Sequence, residues 1–187
     1  AMRVRAEMVD DDETRDSLVA SVEEMQSMVE ATLTFARGLA GSEEPENVNI
    51  GEFLEALKSD MMTPFVLEVG PSVKARIRPH ALRRALRNVI ENADRYGGAT
   101  RVSQRGRTDE FSRTGADDGP GIPAPELERV FDPFFRLEQS RSLETGGYGL
   151  GLSIARTIFR AHGGDISLSN RDEGGLRATI AIPFAND

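Results

Sequence analysis

Two glycine clusters stand in the C-terminal half of this 187-residue chain, DDGPGIP at 117–123 and GGYGLGLSIA at 146–155, the last glycine of one 25 residues before the first of the other, with FDPFF at 131–135 between them. Glycine lets the main chain approach an anion closely and reach positive φ, so that N–H groups can point at oxygen. The second cluster runs straight into LGLSIARTIFRAHGG (150–164), whose apolar spacing predicts a helix, and a helix N-terminus is a natural anion site. Gly147, Gly149 and Gly151 therefore suit a triphosphate. Taken alone, the cluster reads equally well as a loop with a helix cap. Asp117 and Asp118, followed by Gly-Pro-Gly, form a tight turn carrying carboxylates. A carboxylate in an apolar pocket can accept from an exocyclic amine such as that of adenine; a plain acidic turn is the blander reading.

Upstream, PHALRRALRNVIENADRYG (79–97) is predicted as an amphipathic helix opened by proline, with Leu82, Leu86, Val89, Ile90 and Ala93 on its apolar face. Asn88 and Asn92 lie at i and i+4, so their amides share one face; Glu91 and Arg95 form a second such pair, offset by one position. Asparagine carbonyl oxygens are acceptable Mg²⁺ ligands, and Mg²⁺ on a nucleotide keeps several waters. Two asparagines in an apolar stripe are odd for a core face, although exposed polar positions remain the simpler explanation. Tyr96 could stack on a base or belong to the core.

Composition excludes several other chemistries. The net charge of −8 is a poor match for nucleic acid, which favours basic patches. Without cysteine there is neither a disulfide nor a thiolate zinc site, and the two histidines are far apart. No apolar run approaches the ~20 residues needed to span a bilayer, and no signal-peptide pattern opens the sequence. Ala1-Met2 followed directly by a helical pattern reads as a start inside a longer protein.

Residues 14–37 read as one helix with a heptad seam, Leu18, Val22, Met25, Val29, Thr32 and Ala36, too long and narrow to be buried without a partner. Residues 3–9 read as the tail of a preceding helix, with Asp10–Glu13 as the intervening turn, and Gly38 signals the helix end. GLAGSEEPENVN (38–49) reads as a linker. Beyond it, helices are predicted at 50–61, 79–97, 126–131 and 150–164, and strands at 65–69, 73–77, 99–106, 165–170 and 176–183. The expected fold is α+β, a two-layer α/β sandwich with helices on one face of a sheet. The expected domains are a partial helical hairpin (1–37), the linker (38–49) and a globular domain (50–187).

In order and spacing, NVIENADRYG, DDGPGIP, FDPFF and GGYGLGL resemble the N, G1, F and G2 boxes of sensor histidine kinases, most closely the EnvZ-like ones, across roughly residues 50–184. These belong to the Bergerat-fold ATP-binding superfamily shared with gyrase B, HSP90 and MutL. The resemblance implies ATP and Mg²⁺ as cofactors, with Asn88 and Asn92 facing the phosphates and Asn92 on Mg²⁺. It implies that Arg95 touches phosphate, that Tyr96 borders adenine and that Asp117 accepts from the adenine amino group. Gly119, Gly121 and Ile122 would shape that pocket, and Gly147, Gly149, Leu150, Gly151 and Leu152 would close over the triphosphate. Residues 124–146 would form a lid anchored by Phe131, Phe134 and Phe135. Glu91 is a weak candidate for a base. A response-regulator receiver domain is the implied partner and helix 14–37 the implied homodimer contact. The implied setting is the cytoplasmic portion of a bacterial inner-membrane protein, held there by segments upstream.

The sequence departs from that family in two places. The phosphoacceptor motif, of the type HELRTPL, is absent. His80 reads as a surface residue at a helix start and His162 as a structural residue at a helix end, where a positive charge suits the dipole. The acceptor is therefore expected outside this sequence. The strand leading into the first glycine cluster, EFSRTGA (110–116), places Arg113 and Gly115 where apolar residues are expected, which predicts irregular pairing, with Ser112 and Thr114 inward and a bulge at Gly115. Three other functions compete: a nucleotide-binding module without phosphotransfer, an interaction module that rests on the seam of helix 14–37, and a gyrase-type ATPase. The last is disfavoured because those enzymes place a glutamate where this chain has Asn88.

Overall fold

The computed structural model describes residues 43–97, 100–105, 108–113, 121–137, 149–172 and 174–183, with positions 14, 15, 18, 19, 22, 25, 29 and 32 nearer the N-terminus. Two compact units divide the chain, Ala1–Ala40 and Gly41–Asp187. In the first, every described position is helical. Val22 is buried, while Leu18, Met25 and Val29 are 41%, 50% and 58% exposed, so most of the described seam is open. The acidic turn 10–13, Ala36 and the linker residues 38–42 lie outside the described residues.

The second unit runs β1 (Glu46–Asn49), α1 (Ile50–Asp60), β2 (Phe65–Glu68), β3 (Lys74–Ile77), α2 (Pro79–Gly97), β4 (Thr100–Arg105), β5 (Thr108–Arg113), two 3₁₀ turns (Ala124–Glu126 and Arg129–Phe131), α3 (Gly151–Ala161), β6 (Asp165–Asn170) and β7 (Leu176–Ala181). Five strands form one sheet in the order β2-β4-β5-β7-β6. Its β2–β4 pair is parallel and the others antiparallel. β1 and β3 form a separate antiparallel pair.

Helical periodicity supplies the core. Leu82, Ala85, Leu86, Val89 and Ile90 of α2 and Ile154, Ala155, Ile158 and Phe159 of α3 are buried, and the two helices pack side by side. Phe53, Leu54 and Leu57 of α1 and Val102, Ile166 and Ile180 of the sheet are buried as well. Asn49 caps α1, its side chain accepting from Gly51 N at 3.1 Å and Glu52 N at 3.5 Å.

Three expectations change. The last four residues of the expected linker form β1, because Glu46–Asn49 finds a partner in β3. Residues 126–131 do not form an α-helix but belong to the two 3₁₀ turns, each three residues long; so short a segment lacks the length to sustain an α-helix. The strand leading into the first glycine cluster lies inside the sheet, between β4 and β7, and the irregular pairing expected of it does not show at Arg113. Over the described residues its register is uninterrupted, from Thr100↔Arg113 to Arg105↔Thr108 against β4 and from Asp109↔Ile180 to Ser112↔Arg177 against β7. Thr114, Gly115 and the side chain of Ser112 lie outside what is described.

Candidate nucleotide site

The N-box helix and the second glycine cluster meet directly. Asn88, half-buried on α2, donates from Nδ2 to the Gly151 carbonyl oxygen at 3.3 Å. That bond commits the amide nitrogen and leaves the amide oxygen as the atom suited to a cation. Asn92, one turn on, is half-buried, whereas Glu91 and Arg95 are exposed. Of Tyr96 only the backbone is described.

α3 begins at Gly151, and its N-cap residue, Leu150, makes no side-chain capping bond. The N-cap side chain thus leaves the first-turn N–H groups to other acceptors than itself. Leu150 itself is buried, while Gly149, Gly151 and Leu152 are half-buried. Gly149 has φ 69°, and a Cβ there would lie 2.7 Å from the Phe135 carbonyl oxygen. Glycine is required on both counts. Gly147 lies outside the described residues, as do Asp117 and Gly119.

The described part of the expected lid, residues 124–137, is held by aromatic and ionic contacts. Phe131 is buried, with the Arg156 guanidinium 4.6 Å from its ring centroid, and Arg129 stands 4.5 Å from that of Phe135. Arg156 of α3 also donates to Glu128 at 2.5 Å and to Asp165 of β6 at 3.0 Å, while Arg160 reaches Asp165 at 3.1 Å. Partial burial pushes the Asp165 carboxyl up. Hydrogen bonds from Arg160, Arg156 and the Ile166 N–H, with the Arg156 charge, outweigh it and hold Asp165 below its ordinary value.

At the end of the first glycine cluster, Gly121 and Ile122 meet Asn170 at the end of β6. Ile122 N–H donates to Asn170 Oδ1 at 3.0 Å, and Asn170 Nδ2 returns a bond to the Ile122 carbonyl oxygen at 2.7 Å. Sequence reasoning missed both Arg156 and Asn170. Asn170 closes an alternating strand ahead of a glycine turn, which reads only as a turn residue. Arg156 reads only as a solvated helix position.

Among the described residues no group of three or more His, Asp or Glu side chains could hold a metal ion. A divalent cation here would therefore depend on amide oxygens together with phosphates brought by a nucleotide. The asparagine pair and the uncapped start of α3 fit that requirement.

An α/β sandwich whose helices bring Asn88, with Asn92 one turn on, against a glycine-led helix start defines a nucleotide-binding class of domain. Residues 77–186 match the family described as histidine kinase-, DNA gyrase B-, and HSP90-like ATPase, and the chain belongs to it. The sensor histidine kinase GtrS of Pseudomonas aeruginosa is 34% identical over 184 residues, covering 97% of this chain and 38% of that protein. The chain thus spans well under half the length of this curated relative. Among solved structures, the ATP-binding domain of PrrB from Mycobacterium tuberculosis aligns with a TM-score of 0.57 at 25% identity, covering 76% of this chain and 99% of that one. The histidine kinase domain of the Escherichia coli osmosensor EnvZ aligns with a TM-score of 0.53 at 26% identity, covering 79% and 94%. Among the described residues no helix is long and apolar enough to cross a membrane.

Proposed function

We propose that this chain is the ATP-binding catalytic region of a two-component sensor histidine kinase, delivering the γ-phosphoryl group of ATP to a histidine supplied from outside this sequence. The observation that carries the reading is the Asn88–Gly151 hydrogen bond, which joins the N-box helix to the uncapped start of α3. In this reading the N–H groups at the start of α3 hold phosphate oxygens, and Asn88 and Asn92 present amide oxygens to Mg²⁺. Mg²⁺, bound with the nucleotide, supplies charge neutralisation on the phosphates. Asp117 accepts from the adenine amine, with Gly119, Gly121 and Ile122 around it. Tyr96 borders the base, Arg95 meets phosphate, and Gly147 and Leu152 close over the chain of phosphates. Phosphoryl transfer asks mainly for positioning and charge stabilisation, and these residues serve those ends. Glu91, exposed on α2 beside Asn92, is the weak candidate for a base.

The partner that finally takes the phosphoryl group is a response-regulator receiver domain. The open seam of helix 14–37 pairs with a second copy of the chain; the exposure of Leu18, Met25 and Val29 supports this. Membrane attachment resides in segments outside this sequence, with this portion on the cytoplasmic side. Residues 1–37 serve as the hairpin part, and the catalytic domain includes β1, so that it begins before residue 50.

Calorimetric titration with Mg²⁺-ATP tests the nucleotide reading. The parent chain should bind, and Asp117→Asn should weaken binding at least about tenfold, in keeping with loss of a charge-assisted bond. Absence of binding by the parent chain would remove this reading.

A further inference from the structure

We propose that Asn170 is a positioning residue for the base-binding wall of the pocket, acting through Ile122; this rests on the nucleotide reading above. Asn170 is the last residue of β6, an edge strand of the sheet. Its side chain does what a neighbouring strand would do. It accepts the Ile122 N–H at 3.0 Å and donates to the Ile122 carbonyl oxygen at 2.7 Å, 48 residues away in sequence. The orientation of the carboxamide follows from its partners, because an N–H can meet only Oδ1 and a carbonyl only Nδ2.

A second observation at the same place concerns Gly121. It has φ 66°, and a Cβ built on it would lie 2.5 Å from Asn170 Oδ1. The glycine and the asparagine are thus fitted to each other. A side chain at 121 would displace the carboxamide, and the carboxamide holds the backbone that the glycine allows. Ile122 directly follows the DDGPG segment that carries Asp117. Gly121 and Ile122, which the nucleotide reading sets around the base, are held where Asn170 ties both backbone groups of Ile122, and we infer that the discrimination of the exocyclic amine assigned to Asp117 depends on that hold.

Asn170 is exposed and adds nothing to the core. Its loss therefore leaves the fold in place and changes what the pocket prefers. Two substitutions separate its two bonds. Asn170→Ala removes both. Asn170→Asp keeps an acceptor for the Ile122 N–H but sets a second oxygen against the Ile122 carbonyl, so it should be no better than alanine.

The experiment measures dissociation constants of the full 187-residue chain for Mg²⁺-ATP and Mg²⁺-ITP, which differ at the 6-amino group, together with the melting temperature. The parent should prefer ATP. In both variants ATP affinity should fall by roughly five- to tenfold, the scale of one or two lost hydrogen bonds, while ITP affinity and melting temperature stay nearly constant. A parallel fall for ATP and ITP would show a general structural role and overturn the proposal, as would parent-like ATP affinity in Asn170→Asp. If the parent binds neither nucleotide, the nucleotide reading itself fails, and this inference with it.

Discussion

Phe134 donates its backbone N–H to the Gly149 carbonyl oxygen at 3.0 Å, and both residues hold left-handed backbone, with φ of 67° and 69°. This contact ties the aromatic segment to the second glycine cluster just ahead of α3. The two residues bear the conformation differently. Gly149 adopts it freely, whereas Phe134 adopts it against its own side chain. Gly149→Ala should destabilise the chain by about 2–3 kcal/mol, since the new methyl group meets the Phe135 carbonyl oxygen as well as a strained φ. Phe134→Gly, at a position 52% exposed, should be neutral or stabilising by up to about 1 kcal/mol. Urea denaturation of both variants checks the contrast; similar losses for the two would contradict it.

Arg156 ties α3 to Phe131 and Glu128 of the aromatic segment and to Asp165 of β6. Asp165 is held below its ordinary value of 3.8. A carboxyl whose folded value is depressed contributes stability that is present above its unfolded value and lost as pH falls through the folded one. The stability difference between the parent and Asp165→Asn should therefore be constant near neutrality and shrink below about pH 4. Unfolding free energies measured from pH 7 to pH 2.5 test this; a difference unchanged across that range would separate Asp165 from the Arg156 network. Arg156→Ala should cost about 1–3 kcal/mol at pH 7, because it removes the stack on Phe131 as well as the ion pairs.

What could be read from the sequence was what depends on near neighbours. The span 79–97 emerges from a proline start and an apolar stripe, and α2 has those limits. Alternation likewise marks 165–170 as the strand that becomes β6. The helical spacing of Asn88 and Asn92, and the glycines that lead into α3, are local patterns of the same kind. β1 could not be read, because ENVN is polar and becomes a strand only by pairing with Lys74–Ile77. Nor could the side chains that hold the site be assigned: Arg156 meets Glu128 across 28 residues, Glu43 meets His80 across 37, and Asn170 meets Ile122 across 48. Such partners are set by topology, which a local pattern does not encode.

Glu43 caps a helix that begins 36 residues later. Pro79 has no N–H, so the next free donors of α2 are those of His80 and Ala81. The Glu43 carboxylate accepts both, at 2.8 and 3.0 Å, and its carbonyl oxygen accepts Arg78 Nε at 2.8 Å. A carboxylate at this end also suits the helix dipole. Glu43→Ala should lower stability by about 0.5–2 kcal/mol, the range for a lost N-cap. Glu43→Gln, which can still accept one bond, should lose less. Hydrogen exchange at His80 and Ala81 localises the effect: faster exchange there in Glu43→Ala is expected, and unchanged protection would show that the cap is redundant.

His162 closes α3 by using both ring nitrogens. Arg78 N–H donates to Nε2 at 3.0 Å, so Nδ1 carries the proton and donates to the Ile158 carbonyl oxygen at 2.7 Å. A structural role at the helix end was expected from sequence, but with a positive ring suited to the dipole; here Nε2 must be an acceptor, and the neutral tautomer fits. Replacement by alanine leaves the Arg78 N–H without its acceptor and should cost about 1–3 kcal/mol. The same engagement makes His162 a poor phosphate acceptor, because either nitrogen would have to give up its bond first. Incubation with labelled Mg²⁺-ATP, followed by mass spectrometry at neutral pH, should find no phosphate on His162. Label at that residue would show that the α3 end opens and that this histidine, rather than one outside the sequence, receives the phosphoryl group.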